Sequence, residues 1–225
     1  MQNLYHAPFD PFSRKVRAYL QEVGLNFNLK DMDIIERPNS FLRINPSGET
    51  PVLEFNEGDL HICGHDVICE TIEEMLHSET MLGDDEDPRI RAEVRRLTRW
   101  FDVSFHEEVT VNLFHEKVIN PLSAKGTPNA RAIQAGYLNL RRHFSYMEWL
   151  LKKQNWLACN KFSLADIAAA SQISVIDYTG DVPWSKYETI KEWYMLVKSR
   201  PSFQPFWKET VVGRTPSKYY TLLDF

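Results

Sequence analysis

The sequence predicts a small α/β domain followed by an all-α helical domain. Three observations lead to this fold class. Up to about residue 78 short strand patterns alternate with helix patterns, residues 81–87 are acidic and polar, and every periodic segment after them has helical spacing. The chain has 225 residues, which at about 150 residues per domain suits one or two domains. We therefore expect a first domain at 1–80, a linker at 81–87, a helical domain at 88–209 and a tail at 210–225.

The first domain reads as βαβ and then ββα. Its first helix pattern places Val16, Tyr19 and Leu20 on one apolar face and ends before Gly24. The strand patterns alternate apolar and polar residues and are bounded by turns. In chain order the elements are a strand at 3–6, a helix at 13–23, strands at 27–29, 51–55 and 60–62, and a helix at 67–76.

Helix-start signals divide the second domain. Asp87 before Pro88, and Thr127 before Pro128, are each typical of a capping residue followed by proline at the first helical position. Ser163 and Asp166 have the spacing of a capping box. The segment after them is apolar nearly all round, which predicts a buried central helix. Shorter helices are expected at 184–198 and 202–207.

Composition excludes several classes of function. The net charge of -5 and pI of about 5.8 disfavour a nucleic-acid binder, which needs a basic face. No apolar run reaches the roughly 18 residues of a membrane span, so we expect no membrane insertion. The N-terminus does not read as a signal peptide. The three scattered cysteines argue against a disulfide framework and for the cytoplasm, and neither they nor the histidines are spaced as a metal site.

Three motifs in order carry a family resemblance. Residues 45–53 read Asn-Pro-Ser-Gly-Glu-Thr-Pro-Val-Leu, 162–166 contain the capping box of Ser163 and Asp166, and 193–203 form a closing segment. Together they resemble the glutathione transferase superfamily over roughly residues 3–208. The resemblance implies a thioredoxin-like N-terminal domain, a homodimer, a structural role for the box, and a cis Pro51 that turns the backbone of Thr50 towards glutathione.

The resemblance also shows where the chain departs from its family. Asp10, in the run Asp10-Pro11-Phe12, stands where serine- or cysteine-type members place the residue that stabilises the glutathione thiolate. A carboxylate about 4 Å from a thiolate would repel it by roughly 4 kcal/mol at an effective dielectric of about 20. Ser13 and Tyr5 are nearby hydroxyls that would have to substitute. A helix cap is an equally good interpretation of Asp10.

A second departure lies at the expected start of the third helix. Gly64 and His65 occupy the places of the Glu or Gln and the Ser that bind the γ-glutamyl end of glutathione in the family, and Asp66 adds negative charge there. We therefore expect a vestigial glutathione site and no required cofactor; glutathione is expected only if the chain is an active transferase. The site comprises Asp10, Phe12, Ser13, Thr50, Pro51, Gly64 and His65.

Further segments carry a narrower resemblance. They are residues 139–143, 155–158, 176–184 and the ending 220–225, and they are similar to a family of alphaproteobacterial, transferase-like division proteins. That resemblance implies a cytoplasmic protein, at the division site, that binds the tubulin-like protein FtsZ and lacks efficient transferase activity. The alternative is an atypical glutathione transferase that conjugates glutathione to small electrophiles.

Two sets of residues are candidates for the partner contact. Arg91, Arg95 and Arg99 recur along one helix and suit a solvated face, a dimer contact or an acidic partner. The tail ends in a crowd of large apolar groups that a disordered terminus seldom carries. We expect it to pack on its own domain, to present anchors to a partner, or both. Its candidate residues are Tyr219, Tyr220, Leu222, Leu223, Asp224 and Phe225.

Overall fold

The computed structural model describes residues 2–33, 35–55, 58–76, 80–83, 87–124 and 126–225. It divides into two compact units, Met1–Met81 and Leu82–Phe225. Residues 84–86 of the expected linker lie outside the described residues. The predicted fold class is confirmed, because a mixed sheet with helices forms the first unit and the second contains helices.

A four-stranded sheet organises the first unit. The strands lie in the order β2-β1-β3-β4, with β1 parallel to β2 and antiparallel to β3, and β3 antiparallel to β4. Leu4 at the centre pairs with Leu29 on one side and Leu53 on the other. The elements are β1 (Gln2–His6), α1 (Pro11–Glu22), β2 (Phe27–Asp31), α2 (Asn39–Ile44), β3 (Val52–Phe55), β4 (Leu60–Cys63) and α3 (His65–Met75).

The predicted order of this unit is confirmed, with two differences. Helix α1 starts two residues earlier than its apolar stripe indicates, because Pro11 is compatible with a first helical turn and Asp10 caps it. Helix α2 has no counterpart in the predicted elements. It spans only six residues and has Pro38 at its N-cap without a side-chain hydrogen bond, so it carries none of the usual start signals.

One long helix and a set of shorter ones build the second unit. Helix α4 (Pro88–Arg99) continues in helical geometry into a π-helix (Trp100–Ile119) with i→i−5 hydrogen bonds and ends in α5 (Asn120–Leu122). None of the described helices is long and apolar enough to cross a membrane. The remaining elements are α6 (Ala130–Leu151), α7 (Leu164–Tyr178), a 3₁₀ turn (Trp184–Lys186), α8 (Glu188–Lys198) and a second 3₁₀ turn (Gln204–Lys208).

Two predicted helix boundaries in this unit are wrong. Thr127 does not cap α6: the side chain of Asn129 does, accepting from the N–H groups of Arg131 (3.0 Å) and Ala132 (3.3 Å). Glu116 holds Asn129 in place by accepting its backbone N–H at 2.7 Å. The segment expected as one helix at 184–198 is a 3₁₀ turn and α8, because Tyr187 leaves helical geometry at φ -136° and ψ 65°.

Helix α7 is the buried centre that the sequence predicts, since all of its residues are buried. Ser163 and Asp166 form its capping box. The Asp166 carboxylate also accepts from Leu157 N (2.9 Å) and Trp193 Nε1 (2.9 Å), so it ties the segment before the helix and α8 to α7. Burial raises the pKa of Asp166 to about 6, although these hydrogen bonds oppose the shift.

Candidate functional site

Asp10 lies at the start of α1 and is the hub of a hydrogen-bond network in the first unit. Its carboxylate accepts from the backbone N–H groups of Phe12 (3.2 Å) and Ser13 (3.1 Å), from the Ser13 hydroxyl (2.7 Å) and from the Thr50 hydroxyl (2.9 Å). Burial raises the pKa of Asp10 despite these bonds. The Thr50–Pro51 peptide is cis. Asp10 therefore caps its own helix and ties it to the turn before β3.

Ser13, the suggested substitute for the missing thiol activator, is buried and engaged with Asp10. Its side chain is fully buried, it accepts the N–H of Ala7 at 3.2 Å, and its hydroxyl proton is directed at Asp10. Tyr5 is also engaged, because its hydroxyl donates to Glu54 at 2.9 Å. Desolvation and this carboxylate raise the pKa of Tyr5. The hydroxyl protons that would have to stabilise a thiolate are directed at carboxylates instead.

The start of α3 contains an aromatic stack. Gly64 caps the helix with φ 97°, a left-handed conformation that favours glycine. The next residue, His65, lies parallel to the Phe12 ring, with ring centroids 4.2 Å apart and planes 7° apart. Its Nδ1 is 3.2 Å from Nζ of the buried Lys15. Because an ammonium group only donates, Nδ1 acts as the acceptor and His65 carries its proton on Nε2.

The tail packs against the rest of the second unit, one of the outcomes expected from its sequence. Tyr220 is fully buried, with its ring edge-on to Tyr178 (4.9 Å) and Trp207 (5.3 Å), and its hydroxyl donates to the Phe206 carbonyl at 2.7 Å. Phe225 lies edge-on to Trp184, at 5.1 Å between ring centroids. These contacts make Tyr220 and Phe225 part of the domain's packing.

The segment that receives the tail is the run 176–184, which the sequence singled out separately. The Tyr178 hydroxyl accepts from Val211 N and donates to the Arg214 carbonyl, each at 2.9 Å. Ser217 donates its N–H to the Tyr178 carbonyl (2.9 Å) and its hydroxyl to the Asp177 carbonyl (2.7 Å). The two unusual segments are therefore the two halves of one packed structure.

The buried side chain of Lys198 binds the end of the tail. It is fully buried, and its Nζ donates to the carbonyls of Tyr219 (2.8 Å) and Tyr220 (2.9 Å) and lies 3.8 Å from Oδ2 of Asp177. Burial lowers the pKa of Lys198 to about 8 and raises that of Asp177 to about 6, while each group opposes the other's shift.

The other candidate residues point outward to different degrees. Leu222 and Leu223 are 46% and 40% exposed, Asp224 is exposed, and Tyr219 is half-buried against Phe225. In the arginine row, Arg95 and Arg99 are exposed and Arg91 is half-buried. The tail therefore separates into an inward set that packs and an outward set that is accessible.

Sequence reasoning missed Lys15, Lys198 and Asp177. Lys198 follows the apolar positions 190, 193, 194 and 197 of α8 and shares their buried face, so the helical period alone could have marked it as a buried charge. Lys15 lies in a helix whose residues 13–20 are all buried. No group of three or more His, Cys, Asp and Glu side chains suited to a metal ion occurs in the described part of the chain.

Known proteins resemble this chain along its full length. It is 44% identical to FtsZ-localized protein A of Caulobacter vibrioides (strain NA1000 / CB15N), covering 100% of this chain and 98% of that protein. The structure of FzlA from C. crescentus matches with a TM-score of 0.94 and 44% identity, covering 100% and 99% of the two chains. The structure of a glutathione S-transferase from Rhodospirillum rubrum F11 matches with a TM-score of 0.94 and 43% identity, covering 100% of both.

Family models match both halves of the chain in the predicted order. The glutathione S-transferase N-terminal domain covers residues 11–75, and the glutathione S-transferase C-terminal domain covers residues 110–201. These matches confirm both resemblances inferred from the sequence, to the glutathione transferases and to the transferase-like division proteins. The chain belongs to the glutathione S-transferase family.

Proposed function

We propose that this protein binds FtsZ filaments and supports bacterial cell division, and that it lacks efficient glutathione transferase activity. The lack of efficient transferase activity is supported by the hydrogen bonds of Asp10. Its carboxylate holds the hydroxyl protons of Ser13 and Thr50 at the position where the family stabilises a thiolate. FtsZ binding is supported by full-length similarity to a protein named for its localisation with FtsZ.

The glutathione groove is vestigial in this proposal, and no cofactor is required. Phe12 stacks on His65, to whose position the family resemblance assigns the γ-glutamyl end of glutathione, and Asp66 adds negative charge in the first turn of α3. The like charge of Asp66 opposes a carboxylate arriving there, and His65 replaces the serine hydroxyl that would receive it. The groove residues serve to hold α1, α3 and the cis-proline turn together.

The outward side chains of the tail and the arginine row are the proposed contacts with FtsZ. Leu222 and Leu223 offer apolar surface beside Asp224, and Arg95 and Arg99 offer positive charge to an acidic partner. A homodimer with two-fold symmetry would present each contact twice and allow one molecule to touch two filaments.

Co-sedimentation with GTP-polymerised FtsZ tests the binding proposal. The double variant Leu222→Ser/Leu223→Ser changes outward side chains and leaves Tyr220 and Phe225 packed, so its loss from the pellet would locate the contact in the tail. The matched control is Val212→Ser, which is 89% exposed in the same tail. If the unmodified protein stays in the supernatant while FtsZ polymer pellets, the binding proposal is wrong.

The alternative, an atypical glutathione transferase acting on small electrophiles, is supported by one observation: a protein with 43% identity is named a glutathione S-transferase. Glutathione–agarose retention and turnover of a small electrophile test it. We expect weak retention and little turnover from the unmodified protein. Strong turnover would contradict the repulsion argument, whereas turnover gained only on Asp10→Ser would support it.

A further inference from the structure

A cavity of about 410 Å³ lies in the second unit, between α8 and the loop that follows α6. Its volume is within the range of roughly 300–1,000 Å³ that small-molecule sites occupy. The described residues that line it include no member of the Asp10 network or of the tail. Those that decide its chemistry are Gln154, Trp156, Glu192, Trp193 and Leu196.

The cavity meets α6 at the last residue of that helix, Leu151. Leu151 follows the exposed Trp149 by two residues, or about 200° around the helix, so it lies on the opposite side of α6. On that side Phe144 packs edge-on against Tyr187, at 5.1 Å between ring centroids, just before α8 begins. A contact between copies of the chain through the Trp149 side would therefore leave the cavity open.

Two tryptophan rings form the apolar wall, and both are held in place. Trp193 is 2% exposed and donates its Nε1 proton to Asp166 at 2.9 Å, so its ring offers a ligand carbon surface only. Trp156 is half-buried and lies edge-on to Phe162 at 5.0 Å, and Cζ of Arg200 lies 3.9 Å from the Phe162 ring centroid. Rings that are fixed in advance reduce the entropy lost on binding.

The polar groups of the lining include a free carboxylate. Glu192 is exposed and is the one charged side chain among the described lining residues. It has no ion-pair partner in the described part of the chain, since the neighbouring Lys191 pairs with Glu188 at 3.6 Å. The amide nitrogen of Gln154 donates to the Leu157 carbonyl at 2.7 Å, which leaves the amide oxygen as an acceptor. These groups favour a ligand that carries positive charge and donates hydrogen bonds.

We infer that this cavity binds a small organic amine, with its ammonium group at the Glu192 carboxylate and its apolar body against Trp156 and Trp193. The faces of tryptophan rings attract cations, and the carboxylate adds a charge-assisted hydrogen bond. Leu196 is 57% exposed, and an apolar ligand body would remove part of its surface from water. An anionic ligand would be repelled by Glu192, and a neutral one would gain no ion pair.

The ammonium group could belong to a free amine or to a lysine of another protein. The two indole rings favour the free amine, because a rigid aromatic body matches their flat surfaces. A lysine side chain would lose the rotamer freedom of its long stem on entering. The experiment compares the two sources directly.

Titration of the full-length protein with benzylamine tests the inference, with the indole N–H signals of Trp156 and Trp193 followed by heteronuclear NMR. Benzyl alcohol and benzoate are matched probes, since they have the same ring but are neutral and negatively charged. We expect saturable shifts of both signals, and binding of benzylamine about tenfold tighter than that of either matched probe. Added salt should weaken benzylamine more than benzyl alcohol.

The variant Glu192→Gln removes the charge and keeps the shape of the side chain. Its matched control is Glu188→Gln, an exposed glutamate four residues earlier on α8 that does not line the cavity. We expect Glu192→Gln to weaken benzylamine about fivefold or more and Glu188→Gln to change it less than about twofold. Circular dichroism checks folding. Leu196→Lys, which brings a positive charge to the cavity, should also weaken benzylamine and replaces Glu192→Gln if that variant misfolds.

Several results would overturn the inference. They are the absence of saturable shifts up to about 10 mM benzylamine, equally tight binding of benzyl alcohol, and equal effects of the two glutamate variants. A lysine-containing tripeptide that binds more tightly than benzylamine would make the occupant a protein side chain, which also contradicts the inference. Pelleting with FtsZ should not change in Glu192→Gln, so this inference and the proposed function can fail separately.

Discussion

The packing of Tyr220 leads to the sharpest prediction about the tail. Replacing it by alanine removes a fully buried ring that lies between Tyr178 and Trp207, together with the hydroxyl that donates to the Phe206 carbonyl. Truncating a buried aromatic side chain costs about 3–5 kcal/mol. The unsatisfied carbonyl accounts for about 1 kcal/mol of that, which Tyr220→Phe alone should reproduce.

The tail can respond to this change in two ways. It can stay packed, in which case the whole cost appears in the free energy of unfolding of the second unit. It can also detach, in which case the measured cost is limited to the free energy of tail docking, because the rest of the unit keeps its own core. Leu222→Ala is the control, since Leu222 is 46% exposed and surface truncations usually change stability by less than about 0.5 kcal/mol.

Urea unfolding followed by circular dichroism and tryptophan fluorescence distinguishes these responses. Trp207 and Trp184 both contact tail rings, so a detached tail shifts their emission before the helices melt. Hydrogen exchange at the Ser217 N–H, which is bonded to the Tyr178 carbonyl, reports the same event. If Tyr220→Ala changed neither stability by 1 kcal/mol nor this exchange rate, the tail would not be docked as described.

Three other predictions follow from single groups. Asp10→Ala should lower the free energy of unfolding by about 2 kcal/mol, because it removes the cap of α1 and the acceptor for the Thr50 hydroxyl. Chemical denaturation measures this loss. Asp10→Asn, which keeps an acceptor, should cost less. Asn129→Ala should cost about 1 kcal/mol by removing the cap of α6, whereas Thr127→Ala should cost little; equal effects would contradict the assigned cap. The pKa of Lys198 is about 8 in the folded state against 10.5 for an ordinary lysine, so between these values the unfolded chain binds more protons and stability rises with pH. This contribution to the free energy of unfolding, about 3 kcal/mol in full, is lost as the pH falls from 10.5 to about 8. Lys198→Met should abolish its share of the pH dependence in denaturation curves measured between these pH values.

Local signals predicted most of the fold because the groups that create them are close in sequence. Asp87 accepts the N–H of Arg89 at 2.9 Å, and Ser163 and Asp166 bond across three residues, so the residue types alone indicate the helix starts. The helical period likewise identified the buried α7. The starts of α2 and α6 were missed or misplaced because Pro38 gives no capping bond and Asn129 competes with the more familiar Thr-Pro pattern.

The candidate site was harder to predict because its bonds cross long stretches of chain. Thr50 is 40 residues from Asp10, and only the folded turn before β3 brings its hydroxyl to the carboxylate. The family resemblance aligns Asp10 with the residue that activates the thiol, and the sequence is equally consistent with Asp10 as a helix cap. The sequence could not reveal that the Ser13 hydroxyl, the suggested substitute, is turned towards Asp10.

The packing of the tail changes how its role in FtsZ binding has to be tested. Deleting residues 220–225 removes the Tyr220 ring from its aromatic pocket. The deletion also removes two contacts of buried Lys198, the Tyr220 carbonyl and the Phe225 ring. A truncated protein that fails to pellet with FtsZ would therefore not distinguish a lost contact from a damaged domain. The outward side chains avoid this ambiguity, because Leu222 and Leu223 can change while the Lys198 bonds remain. If the tail contacts FtsZ directly, Leu222→Ser/Leu223→Ser must weaken binding. If the tail only completes the domain, Tyr220→Ala must weaken binding and Leu222→Ser/Leu223→Ser must leave it unchanged.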